Sequence, residues 1–419
     1  MTEAGYKLDI PDFLNKKFLE KCIENGLEMN CVEVVHFHVT PGSDPGENYT
    51  STLYRTKVMY NQPLSRGNTI HFIIKSIPID EALASMEKYG FVDKEICVYQ
   101  KLLPKLQTLL ETNETNPVAP KCYEILRIPH RILVLQDMKA FGYSGADRVI
   151  GLDEGHLEVV LKKIAKFHAA SMIVLSKNPA IEGNFCSGFF TEETVTDPLY
   201  EASFKAHLKL GATMLLGIPG YERFSPKLMK LHDNFADIIL NVVKANYEDD
   251  IKVLNHGDLW VNNFLFKYDD KTKKPRDVVF VDYQGSHFNS LGIDINYLFS
   301  TSAQPNVLQQ RMELIEKYYY PSFTETIKLF NFQPIPSLQD ITTQIERRDM
   351  FFVICLFGLL PLHSMNKEES KTNDLTHFAD KDLAERKSLV GMSSRRFMES
   401  MKYTLNVMEK TIDDIISKY

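Results

Sequence analysis

The chain has 419 residues, 44% of them hydrophobic and 25% charged, with a formal net charge of -7; this is ordinary for a globular protein and more than one compact core usually supports, so two lobes with a cleft are expected. The mildly acidic balance supplies no general attraction to phosphate backbones or anionic lipid, so nucleic acid is excluded as an expected partner. Six cysteines, Cys22, Cys31, Cys97, Cys122, Cys186 and Cys355, show neither C-x-x-C nor paired-ligand spacing, which argues against a zinc site and a disulfide framework.

The first ten residues, MTEAGYKLDI, carry acids and no apolar stretch of a secretory leader, so a cytoplasmic location is expected. Cys31 to Val39 and Ser51 to Tyr60 are rich in β-branched and aromatic residues, and Thr69 to Ile77 follows a Gly67-Asn68 turn signal; the three runs read as a strand meander. Pro41 to Thr50 is a stretch of turn-forming residues and reads as a loop. Phe91, Glu95, Val98, Tyr99 and Leu102 then recur at helical spacing, with the acid Glu95 inside the apolar stripe. Arg131 to Gln136 reads as one more short strand. Beyond Gly142 the pattern turns helical, over His156 to Met172 and near residues 226–245, 308–329, 341–360 and 382–417. Lys252 to Asn255 and Val278 to Val281 are strand-like exceptions. The apolar run from Phe351 to Leu362 is too short to span a bilayer and reads as a buried helix, and Asn366 to Asn373 reads as a polar loop. The expected fold class is α+β: a small antiparallel β-sheet with one main helix over residues 1–138, then a larger, mainly helical part over residues 139–419.

The densest polar chemistry is His256-Gly257-Asp258-Leu259-Trp260-Val261-Asn262-Asn263, followed nineteen positions after Asn263 by Asp282 at the end of an apolar run. Phosphoryl transfer needs an acid near the attacking hydroxyl and oxygen ligands for the magnesium that bridges nucleotide phosphates. An Asp, an Asn five residues later and a second Asp across a hairpin can supply all three. Singly, Asp258 reads as a turn residue, Asn263 as a cap and Asp282 as a strand-ending acid; the joint spacing is what points to chemistry.

The segment resembles the catalytic loop and metal-binding Asp of the protein-kinase-like superfamily. Gly257, and Val281-Asp282-Tyr283-Gln284-Gly285 in place of D-F-G, are closer to the choline kinase and aminoglycoside phosphotransferase branch. The chain as a whole resembles the insect ecdysteroid kinase-like family, through Gly46-Glu47-Asn48-Tyr49, Phe91-x-x-x-Glu95-x-x-x-Tyr99, Leu133-Val134-Leu135-Gln136-Asp137, Phe167-His168-Ala169-Ala170-Ser171 and His256-Gly257-Asp258-Leu259-Trp260, in family order over roughly residues 30–300.

The resemblance implies a protein-kinase-like two-lobe fold, with residues 1–138 as nucleotide-binding lobe and 139–419 as catalytic and substrate-binding lobe. It implies ATP and Mg2+ as cofactors, Asp258 as catalytic base, and Asn263 and Asp282 as metal ligands. Lys75, on the third strand, would reach the phosphates and pair with Glu95, since an acid on an apolar helix face is expensive unless paired. Gly46, Asn48, Tyr49 and Thr50 would cover the phosphates, and backbone groups at Gln136 and Met138 would bind adenine. His256 and His168 are expected to hold structure, Trp260 to pack as scaffold, and Asp294 to cap or brace the site.

The implied function is transfer of the γ-phosphoryl group of ATP to a small, apolar, steroid-like (ecdysteroid) or xenobiotic alcohol. Its acceptor space would lie between the catalytic loop and helices near residues 190–230 and 340–365. No protein partner can be inferred. A protein kinase is disfavoured, because only eleven residues separate Asp282 from Asp294 and no A-P-E follows. A non-catalytic nucleotide- or ligand-binding member of the same fold and a choline-type kinase stay as alternatives.

Overall fold

Asn15 opens the first helix, α1 (Lys16–Leu27), with its side-chain oxygen accepting from the Phe18 N–H, one of the donors that a helix start leaves without an internal partner. The helix buries Leu19, Cys22 and Ile23 against an antiparallel sheet of β1 (Glu33–Pro41), β2 (Thr52–Gln62), β3 (Ser65–Ile77), β4 (Cys122–Leu126) and β5 (Arg131–Gln136), in the order β1-β2-β3-β5-β4. Tyr54, Val58 and Tyr60, Phe72 and Ile74, and Ile132 and Val134 share that core, each set at the two-residue period that puts side chains on one face of a strand. The computed structural model describes all residues except 1–9, 44–50, 78–88, 111–116, 128–130, 201–203, 245–248, 367–368 and 370–380.

One expected turn sits elsewhere. Gln62 pairs with Ser65, so Pro63-Leu64 forms the β2–β3 connection, while Gly67 lies inside β3 at φ +71° close to a register shift between Tyr60 and Gln62. The glycine serves an irregularity in the ladder rather than the turn itself. Helix α1 and strand β4 were not expected from the sequence pattern. Both belong with the other strands to a first compact unit, Met1–Lys88 and Ala119–Tyr143.

The second unit comprises Tyr89–Val118 and Ser144–Tyr419. It begins with α2 (Phe91–Cys97), a π-turn over Val98–Leu102, and α3 (Leu103–Leu110). Pro104 is the second residue after the π-turn inside this unbroken helical run. Helix α4 (Glu154–Lys177), capped by Asp153, runs buried through much of its length. After α5 (Ala206–Leu215), α6 (Ser225–Asp233) and α7 (Phe235–Val243) come two strand pairs: β6 (Lys252–Asn255) with β9 (His287–Ser290), and β7 (Phe264–Tyr268) with β8 (Pro275–Phe280).

Helix α8 (Gly292–Ser302) follows, with every residue buried, then α9 (Tyr320–Leu329), α10 (Leu338–Glu346) and the equally buried α11 (Asp349–Gly358). The long helical periods expected near the C-terminus are broken by local caps. Ser394, accepting from the Phe397 N–H, starts α13 (Arg395–Val407) directly after α12 (Lys381–Met392). Among the described residues no helix is long and apolar enough to cross a membrane. The result is an α+β, protein-kinase-like fold with an antiparallel sheet early in the chain and a mainly helical remainder.

A candidate active site around Asp258

Strand β6 ends at Asn255, and one carboxylate holds the turn that follows. Oδ2 of Asp294 accepts from the His256 N–H at 2.6 Å and Oδ1 from the Gly257 N–H at 2.9 Å. The N–H of Asp294 itself donates to Asn255 Oδ1 at 3.1 Å, and His168 places Nε2 3.1 Å from Oδ2 and Nδ1 2.8 Å from the Tyr319 hydroxyl. Asp294 and His168 are fully buried. Burial alone pushes the Asp294 carboxyl up, but the hydrogen bond and charge of His168 and the Gly257 N–H outweigh it and hold the carboxyl below its ordinary range.

Gly257 has to be a glycine. Its φ is +82°, and a Cβ there would collide with the Gly285 carbonyl, so the His256-Gly257 turn and the Asp282–Gly285 segment pack backbone to backbone. Ser286 Oγ adds a hydrogen bond to the His256 carbonyl at 3.1 Å. His256 spans the same two segments: Nε2 lies 3.0 Å from the Val281 carbonyl and Nδ1 accepts from the Asp258 N–H at 3.3 Å. A carbonyl can only accept, so the ring proton is on Nε2. Burial lowers the His256 pKa and keeps the imidazole neutral.

Within this frame Asp258 and Asn263 are hydrogen-bonded to each other, and the residue before Asp282 is tied to Asn263. Nδ2 of Asn263 donates both to the Asp258 backbone carbonyl at 2.9 Å and to its Oδ2 at 3.0 Å, which turns the amide oxygen of Asn263 the other way. The Val281 N–H donates to the Asn263 carbonyl at 3.1 Å, so the residue before Asp282 is tied to the second expected ligand. Asp282 follows β8 in the left-handed region, φ +67°, an uncommon conformation for a residue with a side chain. One carboxylate and one amide oxygen are hard donors of the kind magnesium takes when phosphate oxygens complete its shell, so the residues fit that ion. Among the described residues no cluster of three or more His, Cys, Asp or Glu side chains forms a self-sufficient metal site.

Helix α2 packs on the turn after Asp282. Tyr283, fully buried, donates its hydroxyl to the Val118 carbonyl at 3.1 Å and meets the rings of Tyr99, Phe167 and His256. Glu95 is 1% exposed on α2. Its neighbour Lys94 donates to the Ser187 carbonyl at 2.6 Å, and burial lowers its pKa to about 8.

The other expected nucleotide residues belong to the first unit or fall outside the described residues. Lys75 lies on β3, in register with Leu53 and Leu133. Gln136 ends β5, and Met138 begins a short 3-10 turn capped by Asp137, whose Oδ2 also takes the Arg55 Nε at 2.7 Å. Gly46, Asn48, Tyr49 and Thr50 lie outside the described residues. Trp260 stacks on His363 with ring centroids 3.8 Å apart, a packing contact.

Two features go beyond what the sequence specified. The first is Tyr297, whose hydroxyl donates to Asp258 Oδ1 at 2.7 Å; it stands three residues after Asp294 on α8, a spacing that puts the two on one helix face and could have flagged it. The second is a cavity of about 570 Å3 within the second unit, lined among others by Gly257, Tyr297, Phe189, Phe190, His287 and Phe351. Phe190 and Phe351 come from the regions expected to bound an acceptor, while Leu240 to Lys244 and β9 supply walls that no periodicity announced.

A search of curated proteins finds no match. The family model described as the ecdysteroid kinase-like family matches residues 45–332, well over half of the chain and a span that contains Lys75, Glu95, Asp258, Asn263, Asp282, Asp294 and Tyr297. The 256–263 loop, the Asp282 turn and the buried helix that braces them all fall inside a match of this extent, and the chain belongs to the ecdysteroid kinase-like family.

Proposed function

We propose that the protein transfers the γ-phosphoryl group of ATP, with Mg2+, to a hydroxyl of a small, apolar, steroid-like or xenobiotic alcohol. The observation that carries this reading is the linkage of Asp258 through Asn263 to the Asp282 strand end: hydrogen bonds of 2.9 and 3.0 Å from the Asn263 amide to Asp258, and 3.1 Å from Val281 to Asn263. In this reading Asp258 orients the acceptor hydroxyl and accepts its proton. The amide oxygen of Asn263 and the carboxylate of Asp282 would hold the magnesium, which would supply neutralisation of the charge developing on the phosphates.

The nucleotide roles of Lys75, Glu95, Gly46, Asn48, Tyr49, Thr50, Gln136 and Met138, and the assignment of residues 1–138 as nucleotide-binding lobe and 139–419 as catalytic lobe, rest on membership of the family. The cavity beside Gly257 is the proposed acceptor space. Its volume of about 570 Å3 falls in the range of small-molecule sites, and Phe189, Phe190, Phe351 and Tyr297 give it broad apolar walls.

The test is incubation with labelled ATP, Mg2+ and a panel of ecdysone, choline and simple phenols, with products identified by mass. A phosphorylated steroid or phenol is expected, and Asp258→Asn should lower its rate of formation by roughly 10²–10⁴-fold while leaving ATP binding intact. Magnesium-dependent ATP binding with no product from any acceptor would favour a non-catalytic ligand-binding role, and preferential turnover of choline would favour a choline-type kinase.

A further inference from the structure

We propose that Tyr297 is a positioning residue for the reaction: its hydroxyl fixes the carboxylate of Asp258 in the orientation that meets the acceptor, and its ring couples that carboxylate to the cavity. The inference rests on the reading of Asp258 as the base.

The geometry has three parts. A carboxylate accepts, so at 2.7 Å the Tyr297 O–H is the donor to Oδ1, while Asn263 Nδ2 donates to Oδ2 at 3.0 Å. Donors on both oxygens fix the plane of the carboxylate and not only its distance. Next, Tyr297 is 5% exposed on a helix whose residues are all buried, so its hydroxyl has little access to water and its hydrogen bond is a feature of the interior. Burial, and after it the charge of Asp258, raise the phenol's pKa well above its ordinary value, which keeps the proton on tyrosine. Finally, Tyr297 lines the cavity together with Gly257 and Phe351, and its ring centroid is 6.4 Å from that of Phe351. A molecule seated there rests against the ring whose hydroxyl holds Asp258.

Helix α8 thus contributes twice within a single turn. Asp294 fixes the backbone of the loop through the His256 and Gly257 N–H groups, and Tyr297 fixes the side chain that the loop carries. Packing alone would be served by phenylalanine; the hydroxyl adds only the bond to Asp258. Removing it frees the carboxylate to rotate about its side-chain torsions, and a misplacement on the order of 1 Å costs about 10²-fold in rate.

The test uses the full chain and the variant Tyr297→Phe, which keeps the ring and the cavity wall. With ATP, Mg2+ and the best-used alcohol of the ecdysone, choline and phenol panel, kcat is expected to fall by about 10- to 100-fold, with KM for ATP and for the alcohol within about twofold of the parent. An unchanged kcat overturns the proposal, and so does a loss carried by the KM of the alcohol, which would make Tyr297 a binding surface only. Urea unfolding of Tyr297→Phe, Asp258→Asn and the double variant gives a second arm that needs no turnover. Coupled effects support the hold of Tyr297 on Asp258, and additive effects overturn it. If the parent protein phosphorylates nothing while the two substitutions are coupled, the reading of the protein as a kinase fails and the structural hold stands.

Discussion

The carboxylate of Asp294 stands 3.1 Å from Nε2 of His168, and neither side chain reaches solvent. Together with the two backbone N–H groups that Asp294 accepts from His256 and Gly257, this pair holds the Asp258 loop from beneath. Asp294→Ala leaves those donors facing an apolar gap. Loss of one partner from a buried charged network costs about 3–5 kcal/mol, so the urea midpoint is expected to drop sharply and activity to go with it. Asp294→Asn keeps the shape but presents an amide hydrogen to one of the donors, and should fall between parent and alanine. A loss under about 1 kcal/mol for the alanine variant, on the order of a surface change, would show that Asp294 does not carry the loop.

Asp282 calls for two different variants, because its backbone and its charge are separate matters. At φ +67°, alanine adds left-handed strain of about 1–2 kcal/mol, whereas asparagine tolerates that region. Both remove the carboxylate. Calorimetric titration with ATP should show the gain in affinity on adding Mg2+ reduced in both, with only Asp282→Ala melting earlier. Full magnesium dependence in Asp282→Asn would take the residue out of the proposed metal set.

Gly257 and Gly220 share nearly the same backbone angle, +82° and +85°, but a Cβ at Gly257 meets the Gly285 carbonyl while one at Gly220 meets nothing within 4 Å. Gly220→Ala is therefore expected to cost about 1 kcal/mol of conformational strain. Gly257→Ala adds the collision and should cost more than twice that, typically in the 1–3 kcal/mol range of overpacking on top of the strain. Equal unfolding midpoints for the two variants would mean that the close backbone approach is dispensable.

Acid should loosen the second unit before its carboxylates are protonated. Burial lowers the pKa of His207 to about 4, and burial with the charge of Lys94 does the same for His287, from an ordinary value of 6.5. Between pH 6.5 and 4 the unfolded chain binds these protons and the folded chain does not. The stability tied to both groups is therefore fully present above about pH 6.5 and is lost as pH falls toward 4, by on the order of a few kcal/mol for each. Urea midpoints taken at pH 7, 5.5 and 4.5 should decline over that window, and His207→Gln should flatten part of the slope. A flat profile would contradict the buried neutral state of these rings.

Much of the fold was legible in sequence because strands and buried helices impose periods of their own. β1, β2, β5, α4 and the core of α2 follow from such patterns. The Pro63-Leu64 turn was misplaced because Gly67-Asn68 carries the same residue signal that an irregular ladder uses. The long C-terminal helices were expected whole because a serine cap such as Ser394 interrupts the chain without interrupting the hydrophobic period.

Of the candidate site, the sequence made legible the polar residues that lie close along the chain, and the structure ties Asp258 to Asn263 and Asn263 to Val281 by hydrogen bonds. Tyr297 was missed because on a fully buried helix only its three-residue spacing from Asp294 sets it apart from core. The cavity was expected only as a space between the catalytic loop and residues near 190–230 and 340–365, because its walls come from five separate stretches of chain and only packing brings them together.

The cavity walls differ in what else they do. Ile293 and Tyr297 on α8, Gly257 in the loop, and Phe189, whose ring lies against Gly285, belong to the scaffolding of Asp258, whereas Phe190 and the end of α7 reach the same space from outside that scaffold. On the proposed function, selectivity among alcohols can therefore change through Phe190 or Asn241 with the chemistry left alone. A substitution on α8 would alter selectivity and turnover at once, which makes that helix the conservative face of an otherwise adaptable chamber.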